Sequence, residues 1–254
     1  MPFTDAQVTD LYGHLAEIDG KFRELRERFV LRQFRSAGAR EHADHGFARR
    51  LGSLVRSIER VFEILPPDRL DIPGKDETED AALNIQAFVV NAFGCCENLA
   101  WIWVLERNIR EVDGSAISLG RVGLGPKCRA VRRSFSAEFR EYLGTRGDWF
   151  DHLKDFRDAL AHRIPLYIPP FIVDPEDGER WAALGAEANT ALLRGDLDRE
   201  AALRMEQSTL THFDPIMIHS LNDGARPIIF HSQLLIDFNT ICEIAGEFLL
   251  ELDR

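Results

Sequence analysis

Cysteine is scarce in this chain, and the four present, Cys95, Cys96, Cys128 and Cys242, show no repeated spacing and no Cys-x-x-Cys pair. A disulfide framework and a zinc ribbon are therefore excluded as organising devices, and a reducing compartment is the simpler setting. The opening MPFTDAQVTDLYGHLAEIDG lacks the basic start and apolar stretch of a signal peptide, so a cytoplasmic location is expected. Long apolar runs are missing too. The most apolar window, LAWIWVL at 99–105, is bracketed by Glu97 and Glu106, is far too short to span a bilayer and reads as a core helix, so no membrane partner is expected.

Positive charge is also in deficit. A formal net charge of −11 argues against a protein that coats nucleic acid through a general basic surface. The distribution is uneven, however: between Arg121 and Arg163 ten Lys/Arg stand against six Asp/Glu, a local excess of +4. That stretch is either a solvated face or a local phosphate-binding patch. Common site signatures are absent. There is no Gly-x4-Gly-Lys-Ser/Thr, no Gly-x-Gly-x-x-Gly after a strand, no His-Glu-x-x-His and no Gly-x-Ser-x-Gly. GRVGLG at 120–125 has the wrong glycine spacing for a dinucleotide fingerprint and reads as a flexible loop. His42 and His45 could touch on a helix, but two ligands do not make a zinc site, so a surface pair and no metal are expected. No cofactor is implied.

What is present is helical periodicity. Val8, Leu11, Leu15, Ile18, Phe22, Leu25, Phe29 and Val30 recur every three or four residues over 4–35, and a second helix is expected from about Glu41 to Leu65, stopped by Pro66-Pro67. Over 79–110 the pattern is apolar on most sides, as in a central helix surrounded by others, with Asn84, Asn91 and Asn98 forming a polar stripe at intervals of seven. A helix from Gly147 to about Arg163, capped by Asp148 and ended by Pro165, follows a Gly-rich connector. Beyond it, residues 175–208 read as one or two polar helices, 213–219 and 226–231 as a β-hairpin around LNDGA, and Gln233 to Leu252 as a last amphipathic helix. The fold class is thus mainly α, with a bundle over 1–165 and a C-terminal elaboration over 166–254 packing on it.

The segment DHLKDFRDALAHRIP at 151–165 carries the most chemistry. Arg157-Asp158-Ala159-Leu160-Ala161-His162 resembles the Arg-x4-His signature of the HEPN family, with a polar residue after the arginine and a place near the C-terminal end of a helix. The resemblance implies a small helical bundle, often dimeric, and a metal-independent ribonuclease whose Arg157 and His162 act on the scissile phosphate of RNA. Residue chemistry is compatible with it. A histidine near neutrality can move the proton of a 2′-hydroxyl, and a guanidinium can hold two phosphate oxygens at once. Asp158, four residues before His162, could orient the imidazole. Asn98, Glu97 and Arg163 are the expected substrate contacts.

Geometry adds a condition. Five helical steps turn the chain by about 500°, leaving Arg157 and His162 about 140° apart and roughly 7.5 Å apart along the axis. A homodimer, or unwinding of the last turn before Pro165, would be needed to bring both to one phosphate. Helix-end decoration, with positive charge favoured at a C-terminus, explains the same residues without catalysis. Three functions remain open: an RNA endonuclease in a toxin, defence or stress system, a non-catalytic HEPN-like module that partners a protein or nucleotide, and a small-ligand bundle using Asn98 and Glu97.

Overall fold

The computed structural model describes residues 3–220 and 226–254. Helix α1 (Asp5–Val30) begins where Thr4 and Gln7 bond each other's backbone N–H groups, a reciprocal cap, and it buries Leu11, Ile18, Leu25 and Phe29 along one stripe. Ser36 caps the short α2 (Ala37–Glu41), which runs without a break through a π-helical turn (His42–Phe47) into α3 (Ala48–Ile64). The second helix expected from the sequence is therefore present, but it begins earlier and carries a wide turn. Leu65 closes α3 ahead of the two prolines.

Helix α4 (Lys75–Glu106) is the centre of the molecule. Its start is fixed by Glu77, whose Oε2 accepts from the Gly74 N–H at 2.8 Å while Arg69 grips both carboxylate oxygens. By length and composition α4 could cross a membrane, yet more than half of its most apolar stretch is buried against α2, α3 and other helices of the bundle, and it is a core helix here. A 3-10 turn (Leu119–Arg121) and two short helices, α5 (Arg129–Arg133) and α6 (Ala137–Thr145), occupy the basic connector and lead into α7 (Gly147–His162). Asp148 lies in the first turn of α7, but no side chain caps that end; Arg146 stands at the cap, and the charge of Asp148 complements the dipole instead.

After α7 the chain makes β1 (Ile172–Val173), an antiparallel helix pair α8 (Gly178–Leu193) and α9 (Leu197–Ser208), then β2 (Thr211–His212), which pairs back on β1 with Ile172 opposite His212. The tight α8–α9 turn needs Gly195, whose φ is +75°. This pair has its own small core of Leu184, Ala188, Ala191 and Leu203. The expected hairpin is shorter than the sequence suggests, β3 (Ile216–Met217) against β4 (Ile228–Ile229), and its LNDGA turn lies outside the described residues. Last comes α10 (Phe230–Leu252), which is not an elaboration in packing terms. Its Leu234, Phe238, Ile241, Phe248 and Leu252 share one continuous core with α1, α3 and α4, because an apolar helix of 23 residues needs a long face to bury itself against.

Candidate functional site

α7 lies against α4 through Phe150, Leu153, Phe156 and Ala159, which repeat every three residues and form its buried stripe. The rotation that buries them sets Lys154 and Arg157 on the flank beside α4. There, with the loop 120–128 as a third wall, a cleft of about 390 Å3 opens. Phe93 and Cys96 of α4, Val122 and Leu124 of the loop, and Phe150 and Leu153 of α7 make its walls apolar. Glu97, Asp151, Lys127, Lys154 and Arg157 supply its charge. The loop turns tightly enough that a Cβ on Gly123 would lie 2.8 Å from Cys128 Sγ. The stretch that reads as a flexible glycine loop is thus a fitted wall, and Leu124 is buried within it.

Arg157 is held by two contacts and leaves one nitrogen unpaired. Its guanidinium lies over the Phe93 ring, 4.2 Å from the centroid, its Nη1 meets Asp158 Oδ1 at 3.0 Å, and its Nε is buried with no partner among the described residues. Asp158 also pairs with Lys154, so one carboxylate braces two cations at the cleft edge. Burial pushes the Asp158 carboxyl up, but the Lys154 hydrogen bond and the charges of Arg157, Lys154 and His162 outweigh it and leave it below the ordinary range. Glu97 goes the other way. Although exposed as a whole residue, it is crowded enough at its carboxyl that burial raises its pKa against the pull of Arg157 and Arg50. Burial likewise raises the thiols of Cys96 and Cys128, so neither is an activated nucleophile.

The remaining sequence-derived residues do not converge on this cleft. α7 stays helical through His162, so the expected unwinding before Pro165 is confined to Arg163, and His162 sits exposed beyond the cleft lining. Asp158 bonds Lys154 and Arg157 rather than the His162 imidazole. Arg163 reaches back to Asp155, whose other oxygen is 3.5 Å from Nε2 of the buried His219. Glu97 lines the cleft, whereas Asn98, one position on, turns about 100° away toward α3.

Asn98 enters a second polar cluster. Its Oδ1 accepts from Arg50 Nε at 3.1 Å, and its Nδ2 meets His42 Nδ1 at 3.0 Å. Arg50 Nη1 continues to Asn91 Oδ1 at 3.1 Å. Two glycines make room for this: a Cβ on Gly46 would fall 2.5 Å from Asn98 Nδ2, and one on Gly94 would fall 2.5 Å from Arg50 Cζ. His42 is half-buried and stacked on Trp101 with rings 5.6 Å apart, so the expected surface pair with His45 is not formed; only His45 is exposed. Sequence reasoning found the acceptors, through the spacing of Asn91 and Asn98, but placed His42 on the surface and missed Arg50 and Lys154. The available signal was small: a glycine in the turn HADHGF and another in the apolar helix α4, where alanine would ordinarily serve. Among the described residues no group of three or more His, Cys, Asp and Glu side chains could hold a metal ion. Comparison with protein-family models, with curated proteins and with solved structures gave no match to this chain.

Proposed function

We propose that this chain is a helical binding module, HEPN-like in its motif helix, that takes a nucleotide-sized anion in the cleft between α4, α7 and the loop 120–128. One observation carries the reading: a 390 Å3 cleft, within the size range of small-molecule sites, has apolar and aromatic walls and three cations from two elements, Lys127, Lys154 and Arg157. A planar ring packs against Phe93 and Phe150, and a phosphate or carboxylate meets the cations. Glu97, in the cleft lining, offers a carboxylate oxygen to an N–H on the ring edge. Ligand occupancy would then be read by a protein partner through the loop wall.

The test is a nucleotide panel scored by melting temperature and calorimetry. A ligand at about a hundred times its Kd stabilises by about 2.7 kcal/mol, which for a chain of this size raises Tm by roughly 5–10 °C. Lys154→Gln and Arg157→Gln should each weaken binding at least about tenfold, the size of one charge-assisted contact. A panel that shifts nothing, or a shift indifferent to both substitutions, removes this function.

A second reading, the metal-independent endoribonuclease, draws support from Arg157 at an open cleft and from the exposed His162. It requires a homodimer in which the His162 of a second copy approaches Arg157, since the two lie about 140° apart on one intact helix. Under it, RNA is cut in the presence of chelator to leave a 2′,3′-cyclic phosphate. Arg157→Lys lowers the rate by loss of the two-pronged grip, and His162→Ala costs on the order of a hundredfold. Equal cleavage by parent and both variants, in a gel assay beside their melting curves, excludes it.

A further inference from the structure

We infer that the arginines of the basic connector form a second anion site, behind the loop that walls the cleft, and that it takes a short phosphate chain, two or three phosphates long, free or as the tail of a nucleotide. Four arginines, Arg110, Arg121, Arg129 and Arg133, line one hollow of about 470 Å3 together with a single carboxylate, Glu111. The hollow shares no lining residue with the cleft. Gly120, Val122 and Cys128 face the cleft, whereas Arg121 and Arg129, their neighbours in the chain, face the hollow. Of the ten Lys/Arg between Arg121 and Arg163, three line the cleft and three others line this hollow, so the local excess of positive charge gathers at two separate places.

The backbone beneath these side chains is fixed. Arg129 and Arg133 stand four residues apart on α5, so they share a face with their Cβ atoms roughly 5–6 Å apart. Buried Val131 anchors α5, and Ser134, just past its end, accepts from Trp103 Nε1 at 2.8 Å and donates to the Val131 carbonyl at 2.6 Å. The Arg110–Ala116 bridge and the turn between them, closed by Glu111 N–H to the Ser115 oxygen at 2.9 Å, carry Arg110 and Glu111. Charge in the hollow is left over. Arg121 Nη1 lies 2.7 Å from Glu111 Oε1, but without hydrogen-bond alignment, and that oxygen is buried with no hydrogen-bond partner among the described residues. Arg110 Nε bonds only the neutral Asn108 Oδ1, and Arg129 and Arg133 form no ion pair among the described residues. Like charges at i, i+4 repel, and a multiply charged anion relieves that repulsion while each guanidinium takes two of its oxygens. Among the described residues no aromatic side chain lines the hollow, so it reads charge and not a ring. A short ligand also fits better than a polymer: the chain's net charge is −11, and Asp113 in the adjoining depression would meet a strand continuing past Arg121.

The experiment is a calorimetric titration of the whole chain with orthophosphate, pyrophosphate and inorganic triphosphate at constant ionic strength. Affinity should rise with each added phosphate, by at least about tenfold overall. Arg129→Gln and Arg133→Gln should each weaken triphosphate binding at least about tenfold, and Arg133→Lys, which keeps the charge but loses the fork, should weaken it less. These side chains are exposed, so melting curves should not move, and Arg26→Gln on the exposed face of α1 should leave binding as it is. A nucleoside triphosphate is then tested on Lys154→Gln, which impairs the cleft. Binding no tighter than that of inorganic triphosphate identifies the phosphate chain alone as the ligand, and a tenfold preference identifies a nucleotide tail; both uphold the site. Absence of saturable triphosphate binding, equal affinity for orthophosphate and triphosphate, or an equal loss in Arg26→Gln and Arg133→Gln overturns it. So does tighter binding of a single-stranded RNA oligonucleotide that has no terminal phosphate. Triphosphate binding that Lys154→Gln weakens and Arg133→Gln does not belongs to the cleft and overturns the hollow, whereas failure of the nucleotide panel at the cleft leaves the hollow standing.

Discussion

Replacing Gly46 with alanine should be among the most damaging single-methyl additions this chain can suffer. The new Cβ would lie 2.5 Å from Asn98 Nδ2, 2.7 Å from its Cγ and 3.0 Å from its Oδ1. Asn98 is only 9% exposed and is tied on both sides, by Arg50 and by His42, so it cannot swing into solvent. Displacing it forfeits a hydrogen bond to a charged donor, about 1.5–3 kcal/mol, and leaves a buried amide unpaired, about 1–3 kcal/mol. Against this, alanine in a helical turn recovers about 0.5–1 kcal/mol. The net is about 3 kcal/mol, or roughly 6–12 °C in Tm.

Gly13→Ala is the control, since nothing lies within 4 Å of its added methyl on the exposed face of α1, and it should stabilise by about 0.4–1 kcal/mol. Urea unfolding of Gly46→Ala, Asn98→Ala and the double variant completes a cycle. Removing the amide makes room for the methyl, so the double variant should be little worse than Asn98→Ala alone. If Gly46→Ala behaves like Gly13→Ala, or if the two losses simply add, the packing argument for the His42–Asn98–Arg50 cluster is refuted.

Two further perturbations address other parts of the molecule. Asp237 is buried, which raises its carboxyl to about 6 against the Trp149 and Gln233 hydrogen bonds, while burial lowers His231 to about 4. Between about pH 4 and 6 the folded protein keeps an Asp237 proton that the unfolded chain releases, so stability falls as pH rises; His231 works oppositely between about pH 4 and 6.5, each by about 3 kcal/mol. Parent stability should therefore be nearly flat across this window. Asp237→Asn should be more stable at pH 7 and lose roughly 3 kcal/mol on acidification, whereas parallel profiles contradict the assignment. Leu203→Ala should open the α8–α9 pair, whose four-residue core stands apart from the main one, at a local cost of about 2–5 kcal/mol. Hydrogen exchange should then collapse in Gly178–Ser208 alone, and loss of protection in α4 as well would show that the two cores are coupled.

How far the sequence disclosed this arrangement depended on whether a signal was local. Helices α1, α3, α4, α7 and α10 were readable because periodicity and the two prolines at 66–67 act within a few residues. The π-turn was not, since one extra residue per turn leaves no mark on an apolar pattern. The β1–β2 pairing was missed for a related reason: two strands of two residues, 38 positions apart, have no period to detect. At the site, Glu97 and Arg157 were identified by type and share one cleft, but Arg157 and His162 were joined only by spacing in sequence. Their separation follows from the helix remaining intact to His162. Arg50 gave no local signal because what singles it out, neutral partners on another helix, exists only after α3 meets α4.

The place of α10 in the central core has a consequence for synthesis. Phe238, Ile241 and Phe248 pack among residues of α1, α3 and α4, and Glu251 in its last turn accepts from the Ser136 N–H at 2.6 Å and from the Ser136 hydroxyl at 2.7 Å, at the start of α6. A ribosome makes α4 well over a hundred residues before α10, so α4 emerges with one flank uncovered and waits for its partner. Through that interval the nascent chain displays a long apolar surface, the kind that chaperones bind and that neighbouring nascent chains can capture. Products that stop short of Leu252 would keep that surface exposed and be cleared as misfolded rather than persist as shorter working versions.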